Sequence, residues 1–263
     1  MKILSKGLVI VASFFGIWFL LSKLDYIAFF KIEIKKSDIE INLGNIIWEQ
    51  IENSEKVIYE DSILSTLDSL IMPLCKTNNI DRDSLKVHVI SNSQVNAFAL
   101  PNNHLVIYTG LINKSKNEQM LLGVIGHEIA HIQNNHVMKK LSKEIGLSAI
   151  FAITAGSNSR IISKILKTIT STSYDRDLER EADLQSVKYM LKASIDPRPF
   201  ADFLYDLSID NEFEKYTEAI STHPDSESRA KDILKFIKGK KIKSKQIITN
   251  QEWEEFKVRV KAF

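Results

Sequence analysis

The sequence predicts a mostly helical α+β fold: a small antiparallel β-sheet packed against one long helix, behind an N-terminal membrane-anchor helix. Three observations carry this. Hydrophobic spacing changes from three-and-four to strict alternation near residue 85 and back again near residue 118. The stretch Leu121 to His136 reads as a single helix carrying His127-Glu128-Ile129-Ala130-His131. A charge-free apolar run, Gly7 to Leu21, follows Lys2 and Lys6.

The apolar run is short for a membrane span, but Lys23 can snorkel to the interface and let a helix extend over about residues 4–26. No small-x-small cleavage site follows, so an uncleaved anchor is favoured over a removed signal peptide. The early lysines place the N-terminus in the cytoplasm and the main domain on the other, periplasmic side. The expected organisation is therefore an anchor over 1–30 and one domain over 31–263. That domain divides into a lead-in over 31–84, a core over 85–238 and a tail over 239–263.

Lys31 to Ile47 alternates in places and reads as short strands or an extended connector. From about Trp48 to Lys76 the apolar residues recur at helical spacing, with Pro73 as the expected stop. Three strands follow: Leu85–Ile90, Val95–Leu100 and His104–Thr109, the last two joined by a tight Pro101-Asn102-Asn103 turn. Ser115-Lys116-Asn117-Glu118 has the form of a capping box, which opens a helix of about 20 residues. Ile145 to Ala155 is apolar on all sides and too short to cross a bilayer, leaving a buried helix or a membrane-surface contact. Further helices are expected over about Tyr174–Lys192, after Asp196-Pro197, and from Ser226.

Composition narrows the chemistry. A net charge of +2 over 263 residues gives no ground for nucleic-acid binding. The basic cluster Lys238 to Lys245 reads as a solvated segment, with contact to anionic lipid as the alternative. The single Cys75 excludes an internal disulfide and a cysteine-built metal site, leaving His, Glu and Asp as ligands.

Two histidines four apart on a helix share a face, so His127 and His131 can grip one zinc ion, with Glu128 beside them to take a proton from the water it activates. His136, five residues past His131, falls about 140° round an unbroken helix and drops out as a ligand. His88 and His104 sit in strands and are read as packed residues. A catalytic zinc site takes three protein ligands, so one more must come from elsewhere. Glu179 and Asp183 share a helix face with Leu178, Ala182 and Val187 close by, whereas Glu181 points nearly opposite. Glu179 is therefore the expected third ligand, and Asp183 the acceptor for the outer nitrogen of a ligand histidine. Taken alone, this helix would read as a solvated charged surface; the histidine pair reverses that balance.

Several stretches together resemble the zinc metalloendopeptidase family of the CAAX prenyl protease, the HtpX heat-shock protease and the periplasmic BepA-like peptidases. They are Asn96 to Pro101 with His104 to Leu111, the His127–His131 motif, Arg176 to Asp183, Ala193 to Pro197, and Ser221-Thr222-His223-Pro224 followed by Arg229. The resemblance is nearest to the single-anchor or secreted branch. It implies a gluzincin-type domain with one Zn²⁺ held by His127, His131 and Glu179, Glu128 as general base and Asp183 behind the ligands. It also implies a regulatory or electrophilic role for His223, which matches a loop histidine that can close over the metal. Asn102-Asn103 and Ser194 stand where the family has glycines, at turn positions that Asn and Ser tolerate.

The expected function is a membrane-anchored zinc metalloendopeptidase acting on unfolded or misassembled polypeptides in quality control. Substrate is expected to lie extended along the sheet edge at Asn96, Ala97 and Phe98. Two rivals remain: a zinc-holding module kept closed by His223, and an accidental motif in a structural protein.

Overall fold

A computed structural model describes residues 38–150, 159–209 and 223–263. The expected membrane anchor, residues 151–155 of the apolar stretch from Ile145 and the start of the Thr-His-Pro loop lie outside these residues. Among the described residues no helix is long and apolar enough to cross a membrane.

The chain opens with helix α1 (Asp38–Ser54). The alternating pattern of Ile39 and Ile41 suggests a strand, yet the residues that bury are Leu43, Ile47 and Ile51, spaced at four and lying on one helical face. Strand β1 (Val57–Ile58) and helix α2 (Asp61–Asn78) follow, so a short strand interrupts the single helix expected from Trp48. Pro73 lies inside α2 rather than ending it. Its missing N–H would have bonded the carbonyl of Ser69, an exposed residue whose carbonyl water can satisfy. The helix ends instead at Asn79, which adopts a left-handed φ of 56° and returns its N–H to Cys75.

Strands β2 (Lys86–Ile90), β3 (Ala97–Leu100) and β4 (His104–Tyr108) complete a sheet of order β1-β2-β4-β3. The sheet is mixed, not antiparallel as expected: β2 and β4 run parallel, with Val87 opposite Leu105. The turn of Asn102 and Asn103, both left-handed with φ near 60°, forces β3 and β4 into a hairpin. All five residues of β4 are buried, which favours the central slot beside β2 and leaves β3 at the edge.

Helix α3 (Thr109–Lys114) leads into α4 (Glu118–Gln133), followed by α5 (His136–Glu144), α6 (Ser159–Ser171), α7 (Arg176–Lys192), α8 (Arg198–Ile209), α9 (Ser226–Ile237) and α10 (Asn250–Lys261). Asn117, not Ser115, caps α4, accepting a hydrogen bond from the Met120 N–H at 2.9 Å. The expected box partner Glu118 is instead buried against the segment before α10, where it accepts from the N–H groups of Ile247 and Ile248. The basic segment Lys238–Lys245 is largely exposed, while α10 beyond it buries Trp253, Phe256 and Val260.

Helix α4 is the centre of the molecule, buried from Met120 to Ile132. It touches β3, α2, α7 and α8. Two glycines set these distances. A Cβ on Gly123 would lie 2.3 Å from the Cβ of Phe200 on α8, and one on Gly126 would lie 2.6 Å from Ser186 Oγ on α7. Ser186 also donates to the Gly123 carbonyl at 2.7 Å. The close α4–α7 approach brings the histidine face of one helix against the acidic face of the other.

Candidate metal centre

His127 and His131 leave α4 one turn apart, and their Nε2 atoms lie 2.9 Å from each other. Glu179 on α7 reaches both, with Oε1 3.3 Å from His131 Nε2 and Oε2 3.5 Å from His127 Nε2. From the segment before α9, His223 Nδ1 sits 3.3 Å from His127 Nε2 and 2.9 Å from Glu179 Oε1. One ligand atom from each of His127, His131, Glu179 and His223 falls within 4.8 Å of all the others. Among the described residues it is the one group of three or more such side chains that converges.

The chemistry of this donor set can be tested against a cation. Asp183 Oδ1 lies 2.9 Å from His127 Nδ1 and accepts a hydrogen bond from it, so the ring proton stays on Nδ1 and Nε2 presents a lone pair to the centre. His131 Nε2 faces the same point. Two imidazole lone pairs and a carboxylate around one small volume repel one another unless a cation sits among them. Imidazole nitrogen with carboxylate oxygen suits a borderline ion such as zinc better than calcium or magnesium.

Arg229 locks the acidic side in place. Its Nε and Nη2 donate to the two oxygens of Asp183 at 2.7 and 2.6 Å, and Nη1 contacts Glu179 Oε2 at 2.8 Å. Nη1 also donates to the His223 carbonyl at 3.2 Å, tying the histidine loop to the same guanidinium. Burial alone would raise both carboxyls. Arg229 and His127 outweigh it at Asp183 and bring it to about 2, and His223 with Arg229 holds Glu179 well below the usual range. Burial also drives the His131 imidazole well below its ordinary value, leaving it neutral. At His127 the carboxylates of Glu179 and Asp183 overcome burial and raise it.

Glu128 stands apart from this network. Its Oε2 accepts from the Ala99 backbone N–H at 3.0 Å, and Oε1 lies 3.5 Å from His223 Nε2. Burial raises its pKa against the lowering influence of His223 and His127. The bond to Ala99 fixes how the sheet edge meets the site. Asn96 accepts from the Tyr108 N–H, so the register turns the backbone polar groups of Asn96, Phe98 and Leu100 toward β4 and those of Ala97 and Ala99 toward the open side. Of the three residues expected to meet substrate, only Ala97 therefore presents its backbone to that side. A small apolar cavity lies beside His127 and Glu128, walled by Ala97, Leu111, Phe200 and Leu204.

The expected ligands His127, His131 and Glu179 thus come together with Glu128, Asp183 and His223, whereas Asn96 and Phe98 turn their backbone away and the neighbour His136 needs correction. His136 does not face away. Helix α4 stops at Gln133, Asn135 takes a left-handed φ of 55°, and the chain restarts as α5 with His136 buried and its Nδ1 3.0 Å from His131 Nδ1. The helical angle fails because the helix is broken between the two residues. His88 and His104 pack elsewhere, under Trp48, with His88 Nε2 2.9 Å from His104 Nδ1. Sequence reasoning gave no role to Arg229, which it met only as a motif position, or to Tyr174, which stacks on His131 at 4.1 Å between ring centroids. A buried arginine six residues after a loop histidine carries no spacing rule that would expose it.

Comparison with known proteins agrees with this geometry. The model of Peptidase family M48 matches residues 64–237. Metalloendopeptidase OMA1, mitochondrial, of Bos taurus is 30% identical over 167 residues, covering 57% of this chain and 32% of the relative. The beta-barrel assembly-enhancing protease of Yersinia pestis is 24% identical over 209 residues, covering 74% of this chain and 43% of the relative. That of Escherichia coli K12 is 24% identical over 207 residues, covering 73% and 42%. The chain spans less than half the length of these relatives.

Proposed function

The chain belongs to peptidase family M48, and from that premise we propose that it is a zinc metalloendopeptidase. The observation that carries the reading is the convergence of His127, His131 and Glu179 on one point, with Glu128 beside it at the mouth of a cavity. These three residues would hold the ion, and His223 is placed to be a fourth ligand. Bound there, zinc supplies a Lewis acid that lowers the pKa of water towards about 7 and polarises a peptide carbonyl.

The chain's own residues account for the proton. Oε2 of Glu128 is engaged by the Ala99 N–H, so Oε1, which faces the metal centre beside His223, is the oxygen that accepts the proton of the attacking water. Burial raises its affinity for that proton, so the carboxyl holds it until the amine nitrogen of the broken bond takes it. Asp183 and Arg229 keep His127 and Glu179 oriented throughout. An extended substrate strand lies against the open side of Ala97, while a side chain enters the apolar cavity by Phe200 and Leu204.

Backbone pairing at a strand edge selects extended chain more than sequence, so the substrate class is unfolded or misassembled polypeptide and the role quality control. The apolar run after Lys2 and Lys6 supports attachment to a membrane through residues 4–26, with the catalytic domain on the non-cytoplasmic side. One group of relatives is named for β-barrel assembly and another for mitochondria, which is consistent with action at such a membrane.

A second reading rests on His223, whose ring lies against Glu179 and His127 and would hold a bound ion as a fourth ligand in place of water. In that reading the resting protein holds zinc closed. Both are tested together with casein as substrate. Glu128→Gln keeps about one zinc per chain and loses cleavage; cleavage at the wild-type rate refutes the mechanism. His223→Ala accelerates cleavage severalfold if the second reading holds, and slows it or leaves it unchanged otherwise.

A further inference from the structure

The residue rejected on helical geometry has a specific place in the structure. His136 is fully buried, and its Nδ1 meets Nδ1 of His131 at 3.0 Å. When the Nε2 lone pair of His131 points at the centre, its one ring proton sits on Nδ1. That proton must then be donated, and His136 Nδ1 is the acceptor in line with it. His136 in turn carries its own proton on Nε2, which has no closer partner than Glu181 Oε2 at 3.5 Å. The direction of the whole chain, from the centre outward to a surface carboxylate, follows from these positions. The face of the His131 ring is covered by Tyr174, stacked at 26°, and Lys140 Nζ lies 4.1 Å from the centroid of the same tyrosine ring. Stacking limits tilt of the imidazole but leaves rotation in its own plane, which only the Nδ1 bond opposes.

We infer that His136 is a positioning residue for the metal site, fixing the tautomer and the in-plane orientation of His131 as Asp183 does for His127. The break at Asn134-Asn135 is what allows this: the left-handed Asn135 swings residue 136 back over the end of α4, where an unbroken helix would carry it away. The two ligand histidines are thus supported differently, His127 by a carboxylate and His131 by a neutral imidazole. The inference rests on the zinc reading above.

The test uses the full chain and a pair of variants of equal shape. His136→Asn places Oδ1 where Nδ1 was and keeps the acceptor, whereas His136→Leu fills the same space without one. Zinc affinity is measured by competition with a fluorescent chelator, and thermal unfolding of the zinc-free proteins checks the fold. The expected result is an affinity loss of about 10–100-fold for His136→Leu. His136→Asn should stay within about threefold of wild type, and zinc-free unfolding should be unchanged in both. Equal affinities for the two variants, whether both high or both low, would overturn the inference, because the ring would then be filling space only. Should His136→Leu not fold, histidine ¹⁵N spectra of the zinc-loaded wild type decide: His136 protonated on Nε2 and bare on Nδ1 supports the inference, and the opposite tautomer overturns it. A wild type that binds no zinc would sink the zinc reading itself, a result distinct from either outcome for His136.

Discussion

Replacing Arg229 with Met removes one buried cation from between two buried carboxylates, and the cost follows from the contacts. The guanidinium makes two charge-assisted hydrogen bonds to Asp183 at 2.6 and 2.7 Å and a close contact to Glu179 at 2.8 Å, while the two side chains are only 3% and 2% exposed. Methionine has similar reach but no donor, so both acids lose their one permanently charged partner and keep only histidine contacts, without gaining water. Breaking a buried pair on one side costs about 3–5 kcal/mol, because the remaining charge stays desolvated. That is a large part of the roughly 5–15 kcal/mol that holds a domain together. In urea, with an m-value of about 2 kcal/mol/M, the midpoint of the zinc-free protein should fall by about 2 M. Arg229→Met combined with Asp183→Asn should recover part of the loss, since one of the stranded charges is then gone. A single variant within about 1 kcal/mol of wild type would refute the reasoning, showing that Glu179 and Asp183 are compensated by something other than Arg229.

Acid should act far from the metal centre as well. Burial pushes His88 down to about 4 and His104 to about 3, so both rings are neutral in the folded protein at pH values where the unfolded chain already binds protons. Stability is then full above about pH 6.5, falls as the pH drops from there, and levels off below the folded values. His104 is buried but His88 is only half-buried, so the combined loss is of the order of a few kcal/mol. Urea midpoints against pH should flatten between 6.5 and 4 in His88→Gln/His104→Gln, and parallel curves would exclude these residues. Gly123→Ala should lower the melting temperature by several degrees, because its Cβ meets Phe200 at 2.3 Å and the ring must shift to admit it. An unchanged melting temperature would mean that α8 moves freely against α4.

The parts of the site that could be read in advance are those that sit on unbroken helices. His127 with His131, and Glu179 with Asp183, each obey the rule that residues four apart share a face, and the structure keeps both pairs. His136 defeated the same rule because Asn134 and Asn135 end the helix without a glycine or proline to announce it. In α1, Ile39 and Ile41 alternate by accident, and the burying stripe starts two residues later at Leu43. The mixed sheet was hidden for another reason: alternation gives strands, but the order β1-β2-β4-β3 depends on which strand the core can cover on both faces. Arg229 is a long-range partner, reaching α7 from 46 residues further along the chain, and no local pattern encodes such a contact.

The hydrogen bond from Ala99 to Glu128 joins two parts that would otherwise vary independently. The strand edge sets where an extended chain lies, and the carboxylate sets where the proton goes. With one backbone N–H clamped to one carboxylate oxygen, a shift of β3 along its own axis drags the base with it. The two therefore behave as a single calibrated rule, in which the spacing between the docked chain and the proton acceptor survives motion of the sheet as a whole. Selection on this protein would then be stricter against changes that alter the pitch between β3 and α4 than against those that displace both together.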